Sequence, residues 1–347
     1  PRRVRTGPLP PAAPDLQILT VARRQGGVVK GNAGASLVDL GDGVLAVEFH
    51  SKMNTIGGDT VQMLTGGVTE AAERFAGLAV GNDAVHFCAG ANLMLVLLEA
   101  QEGNWDEIDL MVRSFQNAVI GLRYSPVPVV VAPAGLTLGG GCEIVLHGDR
   151  VQAAAETYMG QAEVGVGLIP AGCGTKELTV RALDATLPGT DPLPRLRQAF
   201  ETIGFGKVST SAAHARRLGL LRDVDGVTMD RERLMADAKA MVLERVREGY
   251  RAPDRRTAIP VGGEEARAAL ELGIHLAWRG GAISDHDARI GRALARIMTG
   301  GDLPHATTVT EQVLLDLERE AFLSLCGEAK TLDRIRHTLK TGKTLRN

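Results

Sequence analysis

The sequence predicts an α/β chain, a layered core with parallel strand pairs followed by a helical C-terminal region. Three observations carry this. Short apolar runs alternate with helix-spaced stretches from about residue 36 onward. Beyond residue 211 the apolar spacing is almost wholly helical. Between these regions two glutamates, Glu143 and Glu163, each sit in a glycine-rich, otherwise apolar segment, where a carboxylate is rarely placed without a partner or a task.

Residues 1–34 read as a linker or N-terminal extension, with a proline-rich run from Pro8 to Pro14 and glycines at 26, 27, 31 and 34. Such a start fits a piece of a longer protein, or a chain whose initiator Met has been removed. Ser36–Leu40, a Gly41-Asp42-Gly43 turn and Val44–Phe49 read as a β-hairpin. A helix is expected over 58–76 and a short buried strand over Leu78–Gly81. A small-residue loop from Phe87 then leads into a helix through Glu99. Residues 106–124 repeat apolar positions at helical spacing, and Pro126–Pro133 reads as an interior strand bounded by prolines. There follow a glycine turn, a helix carrying Glu143, a strand near 149–155 and a loop carrying Glu163. Residues 183–196 read as a surface excursion. Helices are expected at Ala212–Leu218, Asp230–Arg247, Glu264–Trp278, His286–Thr299 and Val309–Leu325. This divides the chain into an extension to 34, a core over 35–225 and a helical region over 226–347.

A length of 347 residues allows one large domain or two modest ones. The formal net charge of −2 gives no electrostatic reason to bind nucleic acid or an anionic membrane, and 3% aromatic residues argue against base-stacking or sugar-binding platforms. No apolar run approaches the ~20 residues of a membrane span, and the start lacks a signal-peptide core. Cys88, Cys142, Cys173 and Cys326 are scattered without zinc-ligand spacing and read as reduced core residues. A cytoplasmic location is expected. The eight histidines lack a triad-like arrangement and are read as structural.

Where a strand meets a helix at Gly139-Gly140-Gly141, no side chain covers the backbone amides. The first amides of a helix have no intrahelical acceptor and lie at the positive end of its dipole. Such a turn suits an oxygen that gains negative charge during reaction, with Gly140 the expected donor. Cys88-Ala89-Gly90-Ala91-Asn92-Leu93 exposes backbone in the same way, and Ala91 is the expected second donor. Either glycine run alone is weak evidence, because tight helix packing explains most of them. A buried glutamate is likewise satisfied in many proteins by arginine or backbone donors. Two carboxyls beside two such turns, however, suit acid/base work on one shared water.

Taken together, four ordered blocks resemble the enoyl-CoA hydratase/isomerase, or crotonase, superfamily. They are Phe87-Cys88-Ala89-Gly90-Ala91-Asn92-Leu93, Leu138-Gly139-Gly140-Gly141-Cys142-Glu143, Gly160-Gln161-Ala162-Glu163 with Gly167–Thr175, and Ser211–Leu220. The resemblance runs from about Leu37 to Val224 and implies a crotonase-like layered ββα spiral core. It implies an oxyanion hole from the amides of Ala91 and Gly140 around the thioester carbonyl of an acyl-CoA. Glu143 and Glu163 would be the catalytic pair that distinguishes hydration. Substrate contacts are implied at Ala89, Gly90, Asn92, Leu93, Gly139 and Gly141, and at Lys52 in a loop that often approaches the CoA. Asn92 stands where relatives usually carry Asp and is expected to cap the following helix. Met94, Leu95 and Leu97 are expected along the acyl pocket.

The tail segments Glu318–Gly327 and Arg334–Lys343 resemble the C-terminal end of bacterial multifunctional fatty-acid oxidation proteins, in which a 3-hydroxyacyl-CoA dehydrogenase part comes first. The resemblance therefore implies addition of water to trans-2-enoyl-CoA in β-oxidation. No metal or nicotinamide cofactor is called for, because coenzyme A belongs to the substrate. A homotrimer or hexamer, or covalent fusion to a dehydrogenase part, is expected. Isomerisation, thioester hydrolysis and a non-catalytic acyl-CoA-binding assembly role stay open at this stage.

Overall fold

A computed structural model describes residues 19–347. The proline-rich Pro8–Pro14 run lies outside the described residues. From residue 19 the chain forms helix α1 (Leu19–Arg24) and strand β1 (Val28–Gly31), so part of the segment read as linker or extension is structured. The core is a seven-stranded sheet. β1 pairs antiparallel with β2 (Ala35–Asp39), and β2 with β3 (Val44–Phe49), the expected hairpin. Parallel pairing then continues through β4 (Gly77–Gly81) and β5 (Val129–Val131).

Beyond β5, a separate short strand, β6 (Gly135–Leu138), leaves the main sheet. The next strand in the main sheet is β7 (Arg150–Ala154), and β6 pairs instead with β8 (Thr157–Gly160). The last strand of the main sheet, β9 (Gly226–Thr228), pairs with β7 beyond the expected core limit at 225.

Alternation of side chains explains the layers. Leu37, Leu45, Val47, Leu78, Val80 and Val131 bury against one set of helices. Their neighbours Val38, Val44, Ala46, Ala79 and Val130 face the other way, under Leu234, Met235, Ala238 and Val242 of a C-terminal helix. Strands buried on both faces read as continuous apolar runs, which is why β3 to β5 were visible in the sequence.

The first helical layer holds α2 (Gly58–Arg74), α3 (Leu93–Glu102), α4 (Trp105–Arg123), α5 (Gly140–Leu146) and α6 (Gly174–Asp184). An exposed turn follows α6, and α7 (Leu193–Gly204) begins inside the stretch read as an excursion. After α8 (Ala212–Arg217), α9 (Leu234–Arg247) is the helix that covers the second sheet face. The rest is α10 (Gly263–Arg279), α11 (Asp285–Met298), α12 (Glu311–Cys326) and α13 (Ala329–Thr341). A small antiparallel pair, β10 (Ile259–Val261) with β11 (Thr307–Val309), interrupts what had read as all helix. The four cysteines are free and buried. Among the described residues no helix is long and apolar enough to cross a membrane.

Candidate active site

The short β6–β8 pair sets the geometry. Its parallel register places Leu138 opposite Gly160, and the Gly139 amide continues the ladder to the Gly160 carbonyl at 2.9 Å. Both strands therefore end at the same level. One releases the chain into α5 and Glu143; the other releases it through Gln161 and Ala162 into the 3₁₀ turn Glu163–Val166. Gly139 has φ +53, and a side chain there would stand 3.0 Å from Glu163 Oε1. Only glycine lets the strand turn into α5 while the second glutamate lies against it.

Both glutamates line one cavity of about 330 Å³, whose wall is otherwise mostly apolar and includes Ile56, Leu95, Val96, Met111 and Phe115. Glu143 is buried; its Oε1 accepts the Gly174 amide at 2.7 Å, and Gly172 supplies a second backbone donor. Burial pushes its pKa from 4.5 up to about 7, against the pull of those two amides and of Lys176. Glu163 is displaced upward more strongly, first by burial and then by the charge of Glu143. Its Oε2 is buried and has no hydrogen-bond partner among the described residues, so it has acceptor capacity to spare. Two carboxyls linked in this way titrate as a unit.

Ala91 and Gly140 line the same cavity. Ala91 lies at a parallel bridge with Ile56 whose two bonds are made by the Ile56 and Asn92 amides, at 2.9 and 3.0 Å. Its own N–H is left out of the ladder. Gly140 opens α5, so its amide has no intrahelical acceptor.

The remaining expected residues divide. Asn92 lines the cavity and caps α3, its side chain accepting the Leu95 amide at 3.4 Å. Lys52, Ala89, Gly90, Leu93, Gly139 and Gly141 lie outside the cavity wall. Lys52 is exposed on a 3₁₀ turn. Gly141 faces the core, where a side chain would meet Cys88 Cβ at 2.6 Å. On α3 the cavity takes Leu95 and Val96, whereas Met94 is exposed and Leu97 packs in the core. The helical phase turns those two residues away from the expected pocket.

Sequence reasoning missed the residues beneath the site. Gln161, quoted only as part of a motif, is fully buried with both side-chain polar atoms unpaired among the described residues. Glu318 of α12 is fully buried and accepts the amides of Cys173 at 2.9 Å and Lys176 at 2.6 Å. Lys176 is buried too; its Nζ meets Glu311 Oε1 at 2.9 Å, His147 Nε2 at 3.0 Å and Glu177 Oε2 at 3.3 Å. Burial and the charge of Lys176 hold His147 well below its ordinary pKa. Neutral His147 then donates from Nδ1 to the Glu143 carbonyl at 2.8 Å while Nε2 accepts from lysine. The legible signal was charge on an apolar stripe: Leu314, Glu318, Ala321 and Leu325 share one face of α12.

Residues 40–185 match the family described as enoyl-CoA hydratase/isomerase. The chain is 46% identical over 321 residues to a probable 3-hydroxyacyl-CoA dehydrogenase of Bacillus subtilis, covering 92% of this chain and 40% of that protein. It is 25% identical over 313 residues to a putative fatty acid oxidation complex trifunctional enzyme of Rickettsia felis, covering 90% and 40%. The chain thus spans about 40% of the length of these two relatives. Among solved structures it is similar to an enoyl-CoA hydratase from Bacillus halodurans, with TM-score 0.59 at 15% identity over 87% of this chain and 98% of that one. An enoyl-CoA hydratase from Mycobacterium avium gives TM-score 0.57 at 18% identity over 91% and 98%. The chain has the mixed α/β crotonase fold and carries a domain of the enoyl-CoA hydratase/isomerase family.

Proposed function

We propose that this chain hydrates trans-2-enoyl-CoA to 3-hydroxyacyl-CoA in fatty-acid β-oxidation. The observation that carries the reading is that Glu143 and Glu163 line one otherwise mostly apolar cavity, with Ala91 and Gly140 among the residues of the same wall. In this mechanism the thioester oxygen accepts those two amides. Water held between the carboxyls attacks C3 as Glu143 takes its proton, and Glu163 delivers a proton to C2, giving syn addition. Charge that develops on the thioester oxygen is met by donors already in place; losing one such donor typically costs about 3 kcal/mol of barrier. The apolar wall suits an acyl chain.

One relative is named a probable 3-hydroxyacyl-CoA dehydrogenase and the other a putative fatty acid oxidation complex trifunctional enzyme, and each is more than twice as long as the match. The same reading therefore makes this chain the hydratase part of a multifunctional protein, whose 3-hydroxyacyl product a dehydrogenase part would oxidise. Glu143→Gln and Glu163→Gln, assayed with crotonyl-CoA by loss of the enoyl thioester's ultraviolet absorbance, test the mechanism. Each is expected to lose at least a hundredfold, roughly the share of a positioned acid or base, and to remain folded. Parental hydration in either variant would overturn the paired-carboxyl mechanism. Appearance of a shifted double bond or of free thiol instead of 3-hydroxyacyl product would assign isomerisation or thioester hydrolysis.

A further inference from the structure

Resting on the hydratase reading, we propose that Glu318, carried by the C-terminal helix α12, is a positioning residue for Glu143 and acts through the amides that open α6. Four backbone donors cluster at this helix start, and they divide between two carboxyls. Gly172 and Gly174 serve Glu143, whereas Cys173 and Lys176 serve Glu318. The division follows from the residue between the two glycines. Cys173 is a non-glycine residue in the left-handed region, with φ +84 and ψ 1, at the N-cap of α6. Such a conformation persists only where its surroundings hold it. Glu318 Oε2 takes the Cys173 amide on one side, so the glycine amides on either flank are left to face Glu143.

Glu318 does not line the cavity, so it has no route to substrate, but Phe322, one helical turn along α12, does. Packing alone gives no reason for an acid here, because Leu314, Ala321 and Leu325 on the same face are apolar. What the site requires is a group with two acceptor oxygens, each facing an N–H. Glutamine would turn an NH2 toward one of those donors, and aspartate is one methylene too short to reach both. The titratable groups around Glu318 are Glu143, Glu163, Lys176 and Cys173. The tail thereby contributes to the catalytic geometry without touching the reacting atoms.

The test uses Glu318→Gln and Glu318→Asp in the full chain, with kcat and KM for crotonyl-CoA measured across pH and normalised to folded protein by circular dichroism. Glu318→Gln is expected to lower kcat roughly ten- to a hundredfold, the usual effect of a supporting hydrogen-bond partner, and to leave KM within about twofold of the parent. The acid limb of the kcat profile should move to higher pH, because Glu143 loses donors that favour its anion. Glu318→Asp should fall between parent and Gln, and it serves alone if the Gln variant does not fold. Parental kcat and an unmoved acid limb, even with lowered stability, would reduce Glu318 to a helix cap and overturn the proposal. Glu143→Gln run in parallel separates the two ideas. If it is inactive while Glu318 variants are parental, only the positioning role fails; if it is fully active, the paired-carboxyl mechanism falls and the role with it.

Discussion

The guanidinium of Arg334, in α13, donates to the carbonyl of Val164, 3.1 Å away, and so ties the end of the chain to the turn that begins with Glu163. The same side chain meets Asp287 at 2.7 Å and Ser284 at 3.2 Å, and is among the largest fully buried side chains described. Thr331, also on α13, donates to the Gly167 carbonyl at the other end of that turn, at 2.9 Å. The C-terminal helices therefore clamp the turn that carries Glu163 through its backbone carbonyls and meet the start of α6 beside Glu143.

Arg334→Leu is expected to cost about 3 kcal/mol, because it leaves Asp287 and the Val164 carbonyl without their buried partner. A urea titration checks this. The variant's kcat should fall with no matching rise in KM, since the turn under Glu163 loosens while the apolar wall is untouched. A midpoint within experimental scatter of the parent would rule the clamp out.

Glycine spacing around Glu143 gives a sharper contrast. A methyl group at Gly172 would meet the Phe115 ring and stand 2.5 Å from Glu143 Oε2. Gly172→Ala should therefore lose on the order of a hundredfold in kcat, the penalty of displacing a reacting group by about an ångström. Gly121, inside α4, has nothing within 4 Å of an added methyl. There Gly→Ala should raise stability by about 0.5–1 kcal/mol with parental activity. Equal kcat losses in the two variants would refute the steric argument.

Much of this was legible beforehand, for physical reasons. The hairpin, β4 and β5 announced themselves through apolar runs, and α2, α4 and α9 to α12 through period. Glu143 and Glu163 stood out because charge interrupted glycine-rich apolar sequence. The β6–β8 pair did not. Its strands are four residues each, contain glycine, and derive their order from pairing across some twenty residues of chain. Arg334 was equally hidden, because an arginine on an amphipathic helix reads as solvent-facing until its carbonyl and carboxylate partners are known. Met94 and Leu97 were misplaced because composition names an apolar helix without fixing which of its faces meets the cavity.

The buried lysine invites a double-mutant cycle. Lys176→Met removes the cation that Glu311 meets at 2.9 Å deep between α6 and α12. The single change should cost about 3–5 kcal/mol, the usual penalty for stranding a buried charge. Glu177 keeps Arg123 and Arg181, so the stranded carboxylate is Glu311, which among the described residues retains only the Tyr124 hydroxyl at 2.9 Å. Adding Glu311→Leu should recover more than half of the loss, a coupling of about 2 kcal/mol. Simple additivity in denaturant midpoints would show that the pair is not energetically linked.

Proton linkage gives the last prediction and fixes its sign. Glu143 moves from 4.5 to about 7 on folding, and Glu318 from 4.5 to about 8, both chiefly by burial. Each group binds its proton more tightly folded than unfolded, so its contribution is fully present below 4.5 and is lost as pH rises through the folded value. Glu177 works in the opposite sense. Burial pushes it up, but the cations of Arg123, Lys176 and Arg181 hold it well below 4.5, and its contribution disappears only as pH falls below that range. Stability should therefore decline between about pH 5 and pH 8. Glu143→Gln, which cannot titrate, should gain on the parent across that interval by up to about 3 kcal/mol, the worth of a shift of this size. Urea unfolding at pH 5.5 and pH 8 reads the difference directly. A gap between parent and variant that stays constant with pH would mean that Glu143 is ionised throughout and that its amide donors outweigh its burial.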